Sequence, residues 1–222
     1  MGAEHKIAPS ILSADFARLG DEIRRVEEAG ADLIHFDVMD GHFVPNLSIG
    51  VPVMESVRRV TRLPLDAHLM IAEPARYLQT FIEAGANSIS VHAEVCDDLP
   101  MIASRIRELG ARASVAINPE TPVDRALAAA EHLDMILVMS VHPGFGGQGF
   151  IAATLDKLRE VRRELDRRGL KVDVEVDGGI KLDNIAAVAA AGANVFVSGS
   201  GIFGHDDYRT IIARMHERAS GA

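Results

Sequence analysis

Apolar residues in this chain gather into eight short runs, near positions 6–12, 32–38, 64–70, 87–92, 112–117, 134–140, 172–177 and 194–199. Runs of this length, mostly continuous rather than alternating, fit strands covered on both faces, as in a parallel sheet. Between the runs the spacing changes to helical. Phe16, Leu19, Ile23 and Val26 follow a 3,4,3 spacing with charged residues between them, which predicts one buried helix face. The joins repeat as well. EAGADLI (28–34), EAGANSI (83–89) and AAGANVF (190–196) are one phrase, with looser copies in ELGARAS (108–114) and RRGLKVD (167–173). Each reads as a helix end, a glycine just past it, and the start of a strand. Eight β-then-α units predict an α/β fold, a closed (β/α)8 or TIM barrel, forming a single domain over residues 1–222. An open doubly wound sheet would leave two unpaired edges.

Polar residues interrupt this pattern at the strand ends, where such barrels build their sites. In LIHFDVM, His35 and Asp37 are two residues apart and so face the same side of their strand. Burying both without partners would cost several kcal/mol. His68 ends the third strand in DAHLM, and Asp177 ends the seventh in VEVDGG. Two imidazoles and two carboxylates converging on one mouth suit a divalent transition metal, Zn2+ or Fe2+ by their mixed N/O character. His92 and Asp66 are the rival ligands. His92 ends strand 4 with no matching carboxylate nearby, and Asp66 is expected one layer deeper, as an outer partner of His68.

Glycine-rich stretches mark the other half of the mouth. HPGFGGQGF (142–150), DGGI (177–180) and SGSGIF (198–203) follow strands 6, 7 and 8. Their backbone N–H groups can approach an anion closely, and loops after strands 7 and 8 are where barrels hold phosphate. Lys181 is the one Lys or Arg beside these runs, so amides, helix N-termini and the Ser200 hydroxyl are expected to do the holding. The first strand is not followed by the G-x-G-x-x-G pattern of dinucleotide binders.

Composition narrows the partners. A net charge of −9 with no basic run argues against nucleic acid and anionic membranes as partners, but leaves room for a small phosphorylated metabolite. The single Cys96 fits a reducing compartment, and a cytoplasmic location is expected. MGAEHKIAPSIL does not read as a signal peptide. Lys6 stands where myristoylation would need Ser or Thr, and the apolar stretch around Leu133 to Val141 is too short to span a bilayer.

SILSADF (10–16), HFDVMDGHFVPN (35–46), DAHLMI (66–71), HPGFGGQ (142–148), VDGGI (176–180) and GSGIF (199–203) together resemble the ribulose-phosphate 3-epimerase family. The resemblance implies a barrel of the ribulose-phosphate-binding type. It also implies metal-dependent epimerisation at C3, between D-ribulose 5-phosphate and D-xylulose 5-phosphate, through a cis-enediolate. One divalent metal would be held by His35, Asp37, His68 and Asp177. Zn2+ is favoured, with Fe2+, Mn2+ or Co2+ as other occupants. Asp37 matches the family's proton acceptor and Asp177 its donor. Ser10, His68, Asp177, Gly144, Phe145, Gly146, Gly147, Gly178, Gly179, Gly199 and Ser200 match substrate contacts, and Met39, Met70 and Met139 line the site. A homo-oligomer, dimer or hexamer, is implied too.

His142, Gly149 and Gly201 depart from the family's commoner residues and bear on substrate preference. GHFVPN (41–46) and PGFGGQGF (143–150) are candidate lids. The alternatives are a 3-epimerase of a six-carbon ketose phosphate such as allulose 6-phosphate, and a non-catalytic sugar-phosphate binder. A Schiff-base aldolase is disfavoured because no strand-end lysine is present.

Overall fold

Eight parallel strands form the centre of the protein: β1 (Lys6–Pro9), β2 (Ile34–Met39), β3 (Leu65–Met70), β4 (Ser88–His92), β5 (Arg112–Ile117), β6 (Met135–Met139), β7 (Asp173–Asp177) and β8 (Val195–Ser198). The structure is a computed structural model that describes residues 4–221, so the Met1–Gly2 start lies outside the described residues. Their order is β1-β8-β7-β6-β5-β4-β3-β2. A parallel bridge between Ser10 and His35 closes β1 onto β2. Below it the Asp32 N–H donates to the Ile7 carbonyl at 3.0 Å, and the Ile7 N–H donates to the Asp32 carboxylate at 2.6 Å.

Around the strands lie α1 (Leu19–Glu28), α2 (Val51–Arg58), α3 (Leu78–Glu83), α4 (Leu99–Glu108), α5 (Asp124–Leu127), α6 (Thr154–Arg167), α7 (Ile185–Ala190), the short α8 (Ser200–Phe203) and α9 (Tyr208–Ser220). The five repeated phrases all end their helices in the same way. Gly30, Gly85, Gly110, Gly169 and Gly192 have φ between +67° and +115°. The residue after each glycine donates back to the carbonyl five positions earlier, as in Ala31 to Val26 and Ala193 to Val188. This Schellman closure needs a left-handed residue, which a Cβ would penalise.

Strand alternation then sorts the side chains into two layers. Ile34, Phe36 and Val38 of β2 and Leu65, Ala67 and Leu69 of β3 pack outward with Ile23, Val26, Met54 and Val57 from the helices. Each fully buried large apolar side chain of this layer contributes roughly 1.5–3 kcal/mol by leaving water. Inside the barrel, Ala8, Met135, Val195 and Val197 form a separate apolar cluster. The alternate positions of β2, β3, β4 and β7 bring His35, Asp66, Ser88 and Glu175 into the interior instead, all buried. The site is built on this polar part of the interior.

Two expectations change. The first strand ends at Pro9 rather than near 12, because Ser10 turns to bridge His35 and Ile11–Ser13 form a 3₁₀ turn. That turn carries Ser10 and Ser13 over the barrel mouth. Phe16 does not belong to the buried face of α1. It lies in a 3₁₀ turn, Phe16–Arg18, where the Asp15 carboxylate accepts the Ala17 N–H, and it is 46% exposed.

Candidate active site

β2 and β3 pair so that Asp37 lies opposite His68 and His35 opposite Asp66. This register brings two ionisable rows together. His68 Nδ1 is 3.3 Å from Asp37 Oδ1 and 3.6 Å from Asp177 Oδ2, which arrives from β7. His35 Nε2 is 3.5 Å from Asp37 Oδ1, and the Ser10 hydroxyl donates to Asp37 Oδ2 at 2.5 Å. One ligand-capable atom from each of His35, Asp37, His68 and Asp177 lies within 4.8 Å of the others. The four residues singled out in the sequence therefore do converge.

The cluster is suited to a cation in two respects. First, His35 Nδ1 is 2.7 Å from the Asp66 carboxylate, whose other oxygen accepts the Ser88 hydroxyl, so the proton of His35 belongs on Nδ1. In the neutral ring Nε2 would then carry the lone pair; it is buried, without a hydrogen-bond partner, and turned toward Asp37. Second, the surroundings demand positive charge. Burial disfavours protonation of both imidazoles, yet Asp37, Asp66 and Glu175 hold His35 well above its ordinary value, and Asp177 and Asp37 raise His68 to about 9. Burial likewise works against the ionised Asp37, but His35 and His68 hold it well below the usual carboxylate range. A divalent cation would bring the charge that protons supply otherwise, to a mixed N/O donor set of the kind transition metals take.

The outer partners differ from expectation in two places. Asp66 serves His35, not His68, because strand register sets it across from His35. His92 does have a carboxylate: its Nδ1 is 3.0 Å from Glu94 Oε2, while its Nε2 meets His68 Nε2 at 2.8 Å. Burial and the neighbouring His68 lower His92 to about 4. Glu175 was missed altogether, although its place two residues before Asp177 turns it into the same interior. Both of its carboxylate oxygens are buried without partners, and burial with the nearby Asp66 pushes it up to about 8. With His35 and Asp66 it forms a second buried group of ligand-capable residues.

Above the cluster opens a cleft of about 530 Å3, counting space open to solvent. It is lined by Ser10, Asp37, Met39, Met70, Met139, Gly144, Phe145, Gly146, Gly147, Asp177, Gly178, Gly179, Gly199 and Ser200, so every expected contact except the fully buried His68 reaches it. Leu12, Ser13, Val141, Pro143, Gln148, Ile180 and Val197 complete the wall. Two glycines are required by close approach. A Cβ on Gly178 would lie 2.5 Å from Val141 Cγ2, and one on Gly179 would lie 2.6 Å from the Phe150 backbone nitrogen.

Gly201 faces the protein rather than the cleft. A Cβ there would meet Ser198 Oγ at 2.5 Å and the Ile180 carbonyl at 2.6 Å. The candidate lids touch each other, Asn46 Nδ2 donating to the Gly144 carbonyl at 2.7 Å.

Residues 6–203 match the model of the ribulose-phosphate 3 epimerase family. The chain belongs to that family. Ribulose-phosphate 3-epimerase of Bacillus subtilis (strain 168) is 52% identical over 211 residues, covering 95% of this chain and 97% of that protein. The Escherichia coli (strain K12) protein of the same name is 49% identical over 213 residues, covering 96% and 95%. The barrel of this epimerase-family chain is shared more widely. 3-Hexulose-6-phosphate synthase from Salmonella typhimurium superposes with a TM-score of 0.72 at 20% identity, covering 97% of this chain and 99% of its own. KGPDC from Streptococcus mutans gives 0.74 at 12%, covering 98% of each. These two likenesses show the fold alone.

Proposed function

We propose that the chain inverts C3 of D-ribulose 5-phosphate to give D-xylulose 5-phosphate, as an isomerase acting in one barrel domain. The observation that carries this reading is the pair of carboxylates Asp37 and Asp177. They enter the mouth from different strands and meet at one imidazole, His68. Inversion asks for a proton to leave one face of C3 and another to reach the opposite face. A single base would tend to return the proton to the face it left, whereas two carboxylates can serve one face each. Asp37, held ionised, takes the C3 proton of ribulose 5-phosphate, and Asp177 delivers one to the far side. The roles exchange in the reverse direction.

His35, Asp37, His68 and Asp177 would hold the divalent cation, Zn2+ by preference. When bound, it supplies a Lewis acid for the negative charge that grows on the substrate oxygens in the cis-enediolate. The Ser10 hydroxyl steadies Asp37 through Oδ2. Met39, Met70 and Met139 give the cleft an apolar wall that keeps water from the reactive carbon. Gly144, Phe145, Gly146 and Gly147, together with Gly178, Gly179, Gly199 and Ser200, offer the loops for the phosphate, whose charge a chain of net −9 must meet locally.

Location and assembly belong to the same reading. Among the described residues no helix is long and apolar enough to cross a membrane. The one cysteine, Cys96, is a buried free thiol, which suits the reducing cytoplasm. A homo-oligomer, dimer or hexamer, is part of the same reading and rests on the family resemblance. The test is turnover of D-ribulose 5-phosphate beside allulose 6-phosphate at equal concentration. Faster conversion of the five-carbon sugar is expected. Conversion of the six-carbon sugar alone, or binding of both without turnover, would overturn the assignment.

A further inference from the structure

His35 has its outer partner in direct contact, the Asp66 carboxylate. His68 does not, and its outer nitrogen meets another imidazole. We propose that His92 and Glu94 are positioning residues which fix the tautomer of His68, leaving its Nδ1 lone pair free for the cation. The inference rests on the metal reading above and goes beyond its four ligands.

It follows from placing each proton. His68 turns Nδ1 toward Asp37 and Asp177, so for that nitrogen to act as a ligand the proton of His68 must sit on Nε2. Nε2 faces His92 Nε2 at 2.8 Å, with the two rings 5.0 Å apart between centroids. Only one proton fits between two nitrogens at that distance. If His68 donates it, His92 Nε2 must be bare, and the proton of His92 then sits on Nδ1, facing Glu94 Oε2 at 3.0 Å.

Glu94 accepts there because it is held as a carboxylate, which only accepts: its other oxygen takes the Asn118 N–H at 2.9 Å and the Thr121 hydroxyl, donors that favour the ionised form. That loop is anchored in turn. Lys157 Nζ donates to the carbonyls of Asn118, Pro119 and Thr121 at 2.7, 3.0 and 2.7 Å. On its open side His92 packs against Phe43 of the β2–α2 loop, 4.5 Å between centroids. The donor-to-acceptor sense thus runs one way, His68 to His92 to Glu94. Reversing His92 would set two N–H groups against each other, or force the His68 proton onto Nδ1, where it would point at Asp37 and block the lone pair.

The experiment compares Co2+ and Zn2+ affinity, by competition with a chelator, in the wild-type protein and in Glu94→Gln, His92→Phe and His92→Gln. Outer partners of metal-binding histidines are worth about 10–100-fold in affinity. Glu94→Gln is isosteric, but its amide oxygen is needed by Asn118 and Thr121, so the NH2 turns toward His92 and reverses it. Glu94→Gln and His92→Phe should therefore both fall into that range. His92→Gln, whose carbonyl can accept from His68 Nε2, should recover most of the loss. 15N-histidine NMR of the Zn2+-loaded wild type should show the proton on Nε2 of His68 and on Nδ1 of His92. Either tautomer reversed there, or wild-type affinity in Glu94→Gln, would overturn this inference while leaving the metal site standing. A wild-type protein that takes up neither metal would overturn the metal reading and this inference with it.

Discussion

His35 and Asp37 are two residues apart on a strand whose alternate side chains, Ile34, Phe36 and Val38, face the helices. The alternation puts both polar groups in the interior, where Asp66, His68 and Ser10 meet them. Asp37 faces both imidazoles and accepts from Ser10. Replacing it by Asn keeps shape and oxygen but removes the base. The Asp37→Asn variant should fold with a lower thermal midpoint, because His35 and His68 lose the buried charge they face, while turnover of ribulose 5-phosphate falls by at least about 10²-fold, read by xylulose 5-phosphate formation. Turnover within tenfold of wild type in that variant would remove Asp37 from the chemistry.

What the sequence shows at this scale is parity within a strand. His35, Asp37, His68 and Asp177 follow from it. It does not show how neighbouring strands slide against each other, so Asp66 was paired with the wrong histidine. Glu94 escaped notice because it lies two residues beyond its strand, in a 3₁₀ turn (Ala93–Val95) whose direction is set by the loop across from it.

The elements that shape the cleft are loops held in contact by missing side chains. The turn after β7 passes so close to the β6–α6 loop that Gly179 has the Phe150 nitrogen and the Gln148 carbonyl within 2.9 Å of where a Cβ would be, at a φ of +66°. A methyl group there has to separate the two loops. In Gly179→Ala the KM for ribulose 5-phosphate should rise by tenfold or more. A loss of about 2 kcal/mol of stability, with a midpoint lower by roughly 4–8 °C, should accompany it. An unchanged KM would mean that this turn does not bear on the phosphate.

The same glycines were visible in the sequence as a phosphate-loop pattern, and the repeated EAGA phrases as helix ends. Both are backbone demands that one residue type meets locally. The end of β1 was less visible, because Pro9 and Ser10 read as a continuing apolar stretch until the closure of β1 on β2 is known. The place of Phe16 was obscured in the same way: its spacing suits a helix, but Asp15 starts a separate turn first.

At the scale of the molecule, eight repeated units solve one problem, a parallel sheet without free edges, and leave a polar part of the interior open at one end. Family membership over residues 6–203 and the buried His/Asp cluster within that segment point to the same chemistry. The central claim is that this cluster, with its cation, takes a proton from C3 and returns one from solvent to the other face. It is tested most directly by mixing metal-replete protein with D-ribulose 5-phosphate in D2O and following the C3 proton by NMR, with and without chelator. The account predicts deuterium at C3 appearing together with xylulose 5-phosphate, both stopped by the chelator and restored by Zn2+. Epimerisation that continues in fully stripped protein, or no exchange at C3 in a folded, metal-loaded sample, would contradict it.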